Sequence, residues 1–83
     1  MHILMLLDET KQRIKECFGE DVTLTEGRAG RYGDEAVEIQ NPYQTIAKVY
    51  KRRKDGQLAI EAIHDLTKPQ SDLIFELGDT YLE

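Results

Sequence analysis

The chain has 83 residues, of which 40% are hydrophobic and 33% are charged, and its formal net charge is −5. This length fits one small domain, residues 1–83, whose core must be thin and mostly aliphatic because the sequence has no Trp and only two Phe. The hydrophobic fraction is too high for a disordered tail, and the longest apolar run, residues 3–7, is far shorter than the roughly 20 residues that span a bilayer.

The cysteine content indicates where the protein works. Cys17 is the only cysteine and cannot form an internal disulfide, which favours a reducing compartment. The N-terminal residues show neither a basic leader nor a small-residue cleavage site. We therefore expect a cytoplasmic protein that is neither secreted nor membrane-spanning.

The charge is distributed unevenly along the chain. Residues 48–54 contain five basic residues and no acid, whereas residues 61–83 contain six acids and a single basic residue, Lys68. The pattern predicts an acidic body with one basic tip.

An amphipathic helix is predicted over residues 2–18, with Glu9 and Arg13 spaced to form an i,i+4 pair. Gly19 follows as the expected helix cap. The apolar stripe of this helix contains Ile3, Leu7, Ile14 and Phe18.

Two strands are expected next. Residues 22–25 alternate with period two and predict a short strand, and residues 35–40 predict a second strand that buries Val37 and Ile39. Between them the glycine-rich residues 27–34 predict a loop, and Asn41 with Pro42 predicts a turn.

Residues 45–53 and 57–63 predict a β-hairpin around Asp55 and Gly56, which supply the positive φ angles of a tight turn. The second strand alternates between two half-apolar faces, which favours a central position in the sheet. Leu58, Ile60 and Ala62 form one of these faces.

A C-terminal helix is predicted by a capping box in which Thr67 is the N-cap and Gln70 the third helical residue. The run 73–77 is equally compatible with a strand. The predicted fold class is α+β, an antiparallel β-meander of three to four strands flanked by an N-terminal and a C-terminal helix (α-β-β-β-β-α). The core face of the second helix contains Leu66, Leu73, Ile74, Leu77 and Tyr81.

Catalytic and metal sites are not indicated. Cys17 and His64 are not spaced to form a nucleophile–base pair, and with His2 they lack the paired spacing of a zinc site. We expect no catalytic residues, no metal and no cofactor. The glycines at 27–33 with Arg28 and Arg31 lack the spacing of a phosphate-binding loop, so a mobile loop is the preferred interpretation.

The basic tip predicts one candidate interaction, contact with nucleic acid. Its basic side chains suit phosphates and Tyr50 suits stacking on a base. The alternative interpretation is a solvated turn whose charges protect a strand from aggregation. The candidate residues are Tyr50, Lys51, Arg52, Arg53 and Lys54.

The C-terminal helix predicts the other candidate, a protein contact. Phe75 and Leu82 lie seven residues apart, nearly opposite the core face, and Gly78 between them would leave room for a close approach. The partner is either another protein or a second copy of the chain in a homodimer. The acidic residues of this segment also suit docking onto a basic protein surface.

These observations favour a small non-catalytic protein-interaction module, with nucleic-acid contact through residues 51–54 as the alternative. Small size, acidity and the lack of a catalytic motif fit an accessory protein of a phage or mobile element.

Overall fold

The computed structural model describes residues 8–82, which form two helices and four strands. All strand pairs are antiparallel, and the strand order β1-β2-β3-β4 follows the chain, which confirms the α+β fold and a four-stranded meander. Residues 2–7 of the predicted first helix, including Ile3 and Leu7, lie outside the described residues. The elements are α1 (Asp8–Phe18), β1 (Thr23–Ala29), β2 (Asp34–Gln40), β3 (Thr45–Lys51), β4 (Leu58–Ala62) and α2 (Lys68–Tyr81).

Both helices cover the same face of the sheet. Directly paired residues share a face, and Val37 pairs with Val49, which pairs with Ile60. This row and its neighbours meet the apolar faces of the helices, as the spacing predicted. The buried members of this core are Ile14, Val22, Val37, Ile39, Ile46, Ala47, Val49, Leu73, Ile74, Leu77 and Leu82.

The two helices lie antiparallel and are joined at two points. Gln70 Nε2 donates to the carbonyl oxygen of Cys17 at 2.8 Å, and the Arg13 guanidinium makes two hydrogen bonds of 2.8 and 2.7 Å to the Glu76 carboxylate. Arg13 therefore binds across to α2 instead of forming the predicted pair with Glu9, because Glu76 offers both carboxylate oxygens in line with the guanidinium.

The N-terminus of α2 confirms the capping box and settles the helix-or-strand alternative. The Thr67 side chain accepts from the Gln70 amide and the Gln70 side chain accepts from the Thr67 amide, at 3.3 and 3.0 Å. Pro69 occupies the first turn, where its missing N–H leaves no bond unmade.

The predicted loop at 27–34 is wrong over its first part, because β1 continues through Gly27 and Arg28 to Ala29. Gly27 lies under the side chain of Glu38: a Cβ at this position would overlap the Glu38 carboxylate. The glycine therefore makes room for a crossing side chain within a strand. Only the turn itself, with Gly30 and Gly33 at φ +74° and +66°, requires left-handed glycine.

The β3–β4 hairpin differs from the prediction in its turn and in the position of its second strand. The Arg52 amide donates to the Gln57 carbonyl oxygen, which leaves a four-residue loop in which only Gly56 has positive φ. β4 lies at an edge of the sheet, not at its centre. Ile60 is accordingly only partly buried, because α2 covers one side of it and the other side faces solvent.

Gly78 has a role that differs from the predicted one. It faces the sheet, and a Cβ there would lie 3.0 Å from Val49 Cγ2 and 3.1 Å from Leu58 Cδ1. The missing side chain thus lets α2 approach β3 and β4 closely, and leaves no room for an outside partner.

Candidate interaction surfaces

Two turns meet at one end of the sheet. In a meander the β1–β2 and β3–β4 turns project from the same end, so residues 30–34 and 50–57 form one surface, which we call the basic end. It contains five basic residues and two acids. The predicted residues Tyr50, Lys51, Arg52, Arg53 and Lys54 all lie here.

Each acid of the basic end is bound by one arginine. Arg53 Nε donates to Asp34 Oδ1 at 2.6 Å, which ties the two turns together, and Arg52 binds Asp55 at 2.6 Å. The pKa of Asp55 is lowered by the hydrogen bond from the Gln57 amide, opposed by partial desolvation and reinforced by Arg52. The side chains of Arg52 and Arg53 therefore stabilise the turns, although both residues are exposed to solvent.

Three other cations of the basic end remain available. Within residues 8–82, no ion pair or hydrogen bond engages the side chains of Arg31, Lys51 or Lys54. Arg31 and Lys54 are exposed and line the cavity described next. This cavity therefore carries unneutralised positive charge.

Two tyrosines shape a shallow cavity of about 210 Å³ between the turns. Tyr32 is 65% exposed, with the Arg53 and Arg31 guanidinium carbons 5.0 and 5.8 Å from its ring centroid. The half-buried Tyr50 packs against Gly30, where a Cβ would lie 3.1 Å from Tyr50 Cε2. Gly30 is thus required by its conformation and by this contact.

Sequence reasoning missed Arg31 and Tyr32 as parts of the same surface as residues 51–54. The signal was present in the predicted strand order, since alternate hairpin turns of an antiparallel meander fall at one end. The spacing of the glycines does not reveal it, because that spacing excludes a phosphate-binding loop without relating this turn to the β3–β4 turn.

The free edge of β4 forms the second surface. The Arg52 amide bonds to the Gln57 carbonyl oxygen (2.9 Å) and the Ile63 amide to the Ile46 carbonyl oxygen (3.1 Å). Hydrogen-bonded and non-hydrogen-bonded residue pairs alternate along two antiparallel strands. Residues of β4 whose backbone groups bond to β3 therefore alternate with residues whose backbone groups point away from β3. The residues whose amide and carbonyl groups point to the free edge are Leu58, Ile60 and Ala62.

A groove of about 590 Å³ with a mixed polar and apolar lining runs beside this edge, between β4 and α2. Ile63 and Phe75 are 53% and 41% exposed, so large apolar side chains here contact solvent. We call this surface the edge groove. Its lining residues are Ile60, Ala62, Ile63, His64, Asp65, Leu66, Ser71 and Phe75.

The structure separates the two residues predicted to share a protein contact. Phe75 is exposed as expected, but Leu82 is only 7% exposed and belongs to the core, so its predicted exposure is wrong. Helical geometry placed it opposite the core face, whereas the chain leaves the helix at Leu82 with φ −103° and ψ 133°. This extended conformation turns the side chain inward. Ile63 on β4 takes the place of Leu82 as the apolar neighbour of the edge groove.

Acidic residues are concentrated in the elements that form the edge groove, and one of them, Asp65, lines it. Residues 60–79 contain five acids and one basic residue, Lys68, which binds Asp72 at 3.1 Å. Glu61, Asp65 and Asp79 form no ion pair within residues 8–82. The surroundings of the groove thus attract basic groups.

Other polar groups do not assemble into a site in the part of the chain that the structure describes. Across residues 8–82, no three His, Cys, Asp or Glu side chains are placed to share a metal ion. Cys17 is half-buried against the core, and His64 Nδ1 lies 3.0 Å from the Asp65 carbonyl oxygen. Neither helix in these residues is long and apolar enough to cross a membrane.

Comparison with protein-family models, with curated proteins and with solved structures found no significant match.

Proposed function

We propose that the protein is a non-catalytic interaction module that binds an extended segment of a partner protein along β4. The observation that carries this proposal is the free edge of β4 lying directly beside the edge groove. The single cysteine, which cannot form an internal disulfide, supports a reducing compartment such as the cytoplasm as the place of this activity.

The unprotected character of the β4 edge supports strand addition. Proteins usually protect a sheet edge with charges, proline or a covering element. β1, the other edge strand, carries Glu26 and Arg28, whereas Glu61 is the only charge in β4. An added strand would exchange backbone hydrogen bonds with the outward groups of β4.

The edge groove supplies side-chain recognition for such a segment. Successive side chains of a strand alternate in direction, so every second side chain of the added segment would enter the groove beside Ile60 and Phe75. An exposed aromatic beside a partly formed apolar pocket is the usual composition of an energetic hot spot.

Charge complementarity identifies the class of segment. Asp65 lines the groove and Asp79 lies one turn beyond Phe75 on α2. These unpaired acids favour basic residues, so the partner is an extended apolar segment with Lys or Arg at its flanks. They disfavour a second copy, because two-fold pairing through β4 would bring two acidic α2 helices close together.

The test uses a displayed library of random peptides of about ten residues, enough to form one strand of ordinary length. Selected peptides should combine alternating apolar residues with Lys or Arg. The decisive variant is Ala62→Pro, which removes one outward N–H without removing a bond to β3. Its matched control is Ala62→Thr, which keeps that N–H.

Binding measured by calorimetry should be lost in Ala62→Pro and retained in Ala62→Thr. Phe75→Ala should weaken it by about tenfold or more, as for a hot-spot aromatic, whereas Thr80→Ala on the exposed part of α2 should not. Equal binding by Ala62→Pro and Ala62→Thr would contradict strand addition. A dimer in sedimentation that is lost in Ala62→Pro would instead assign the edge to a second copy.

A further inference from the structure

The basic end is a second surface, independent of the edge groove. The cavity of the basic end lies at the β1–β2 and β3–β4 turns and shares no lining residue with the edge groove, which begins at Ile60. We propose that the basic end binds single-stranded nucleic acid, with Arg31 and Lys54 contacting phosphates and Tyr32 stacking on a base.

The combination of groups supports this class of ligand. Arg31 and Lys54 come from different turns and are both unpaired within residues 8–82, which suits two phosphates along a flexible backbone. Tyr32, at 65% exposure, presents an aromatic ring beside these cations. Cations beside an accessible aromatic ring are the recurring elements of single-strand binding sites.

The ion pair between Arg53 and Asp34 holds the site in shape. It links the two turns at 2.6 Å and places the Arg53 guanidinium 5.0 Å from the Tyr32 ring centroid. Arg53 is therefore a positioning residue, whereas the unpaired Arg31 and Lys54 contact the phosphates.

The shape and charge of the whole molecule favour a single strand over a duplex. The site is as wide as two neighbouring turns, and the remaining surface is net negative, because the rest of the chain contains 14 acids and six basic residues. A stiff duplex would project past the basic end into repulsion from that surface, whereas a flexible strand bends to follow the cavity.

Fluorescence anisotropy with labelled oligothymidylate of about 12 nucleotides tests the proposal, since single-strand sites occupy roughly 4–16 nucleotides. Salt is kept at about 50 mM to preserve electrostatic attraction. We expect the logarithm of the association constant to fall with the logarithm of salt concentration at a slope near −1.4, about 0.7 for each of two phosphates.

Two sets of variants separate charge from stacking. Arg31→Gln with Lys54→Gln should remove most of the salt dependence, whereas Tyr32→Ala should weaken binding by about 5- to 150-fold and leave the slope unchanged. The matched control is Lys11→Gln with Lys68→Gln, which removes the same charge from the helices and should leave binding unchanged.

Three outcomes would overturn the proposal. The first is no binding at this low salt, and the second is equal loss in the control double variant. The third is full binding by Tyr32→Ala together with equal competition by inorganic polyphosphate or by a duplex of the same length, which would indicate a general anion contact. Folding of every variant is checked by circular dichroism before binding is interpreted.

Discussion

At the scale of single residues, Gln70 has two functions that one amide side chain can combine. Its oxygen completes the capping box at the Thr67 amide, and its nitrogen donates to the Cys17 carbonyl at the end of α1. Gln70 therefore caps the N-terminus of α2 and also binds a carbonyl group in the last turn of α1. The capping box was predicted from the sequence, but the link to α1 was not, since it joins residues 53 positions apart.

Gln70→Glu separates these two functions. The carboxylate can still accept from the Thr67 amide but cannot donate to Cys17, and two oxygens then face each other. We expect the free energy of unfolding to fall by about 1–2 kcal/mol, although glutamate is normally favourable at this helix position. Urea denaturation measures this change in the free energy of unfolding. Gln44→Glu, in an exposed turn, is the control for the added charge. An unchanged midpoint would show that the bond to Cys17 contributes nothing.

The Arg13–Glu76 pair predicts a pH dependence. Its hydrogen bonds hold the pKa of Glu76 below its ordinary value of 4.5, against partial desolvation and with the help of Coulombic attraction; the same bonds raise the pKa of Arg13. A lowered folded-state pKa means that the pair stabilises the protein above pH 4.5 and loses this effect as the pH falls through the folded-state pKa of Glu76.

The melting temperature should therefore be higher for the wild type than for Glu76→Gln near neutral pH, and the two should converge as the pH falls through the folded-state pKa of Glu76, which lies below its ordinary value. Asp72→Asn, which breaks the exposed Lys68–Asp72 pair on the same helix, should have a smaller effect. A difference between the wild type and Glu76→Gln that does not shrink as the pH falls below the ordinary pKa of Glu76 would contradict this assignment.

At the scale of elements, local patterns predicted α2 and most of each strand, because periodicity and capping act within a few residues. They could not place β4 at an edge, since Leu58 and Ile60 alternate with partly apolar neighbours in either position. They also misjudged Gly27 and Gly78. Both glycines accommodate a side chain from another element, Glu38 in one case and Val49 in the other.

The edge position of β4 changes the expected cost of a core substitution. Ile39 is 1% exposed on the second strand of the sheet, so Ile39→Ala should cost about 2–5 kcal/mol. Ile60→Ala should cost roughly 1–2 kcal/mol, because its side chain is already partly in contact with water. Denaturant midpoints of the two variants test this order, and equal losses would mean that β4 is as well covered as β2.

At the scale of the whole molecule, the sheet separates two chemically different surfaces. The turns at one end contain unpaired cations and tyrosines, while the edge groove exposes Ile63 and Phe75 beside the carboxylate of Asp65. The sequence predicted both the basic tip and an apolar contact at Phe75. Arg31 and Tyr32 belong to the basic end because the strand order brings the β1–β2 turn beside the β3–β4 turn. Ile63 replaces Leu82 at the edge groove because α2 ends before Leu82.

The same meander has a consequence for the order of folding events. Each strand pairs with its neighbour across a short turn, whereas the side-chain hydrogen bonds between α1 and α2 join residues 53 and 63 positions apart. Because closing a long loop costs more entropy than closing a hairpin, we expect the hairpins to form in the transition state and the helix pair to close after it. In stopped-flow experiments, Ile39→Ala should then mainly slow refolding and Gln70→Glu mainly accelerate unfolding. Separation of the two helices would accordingly be the first step by which the native protein opens.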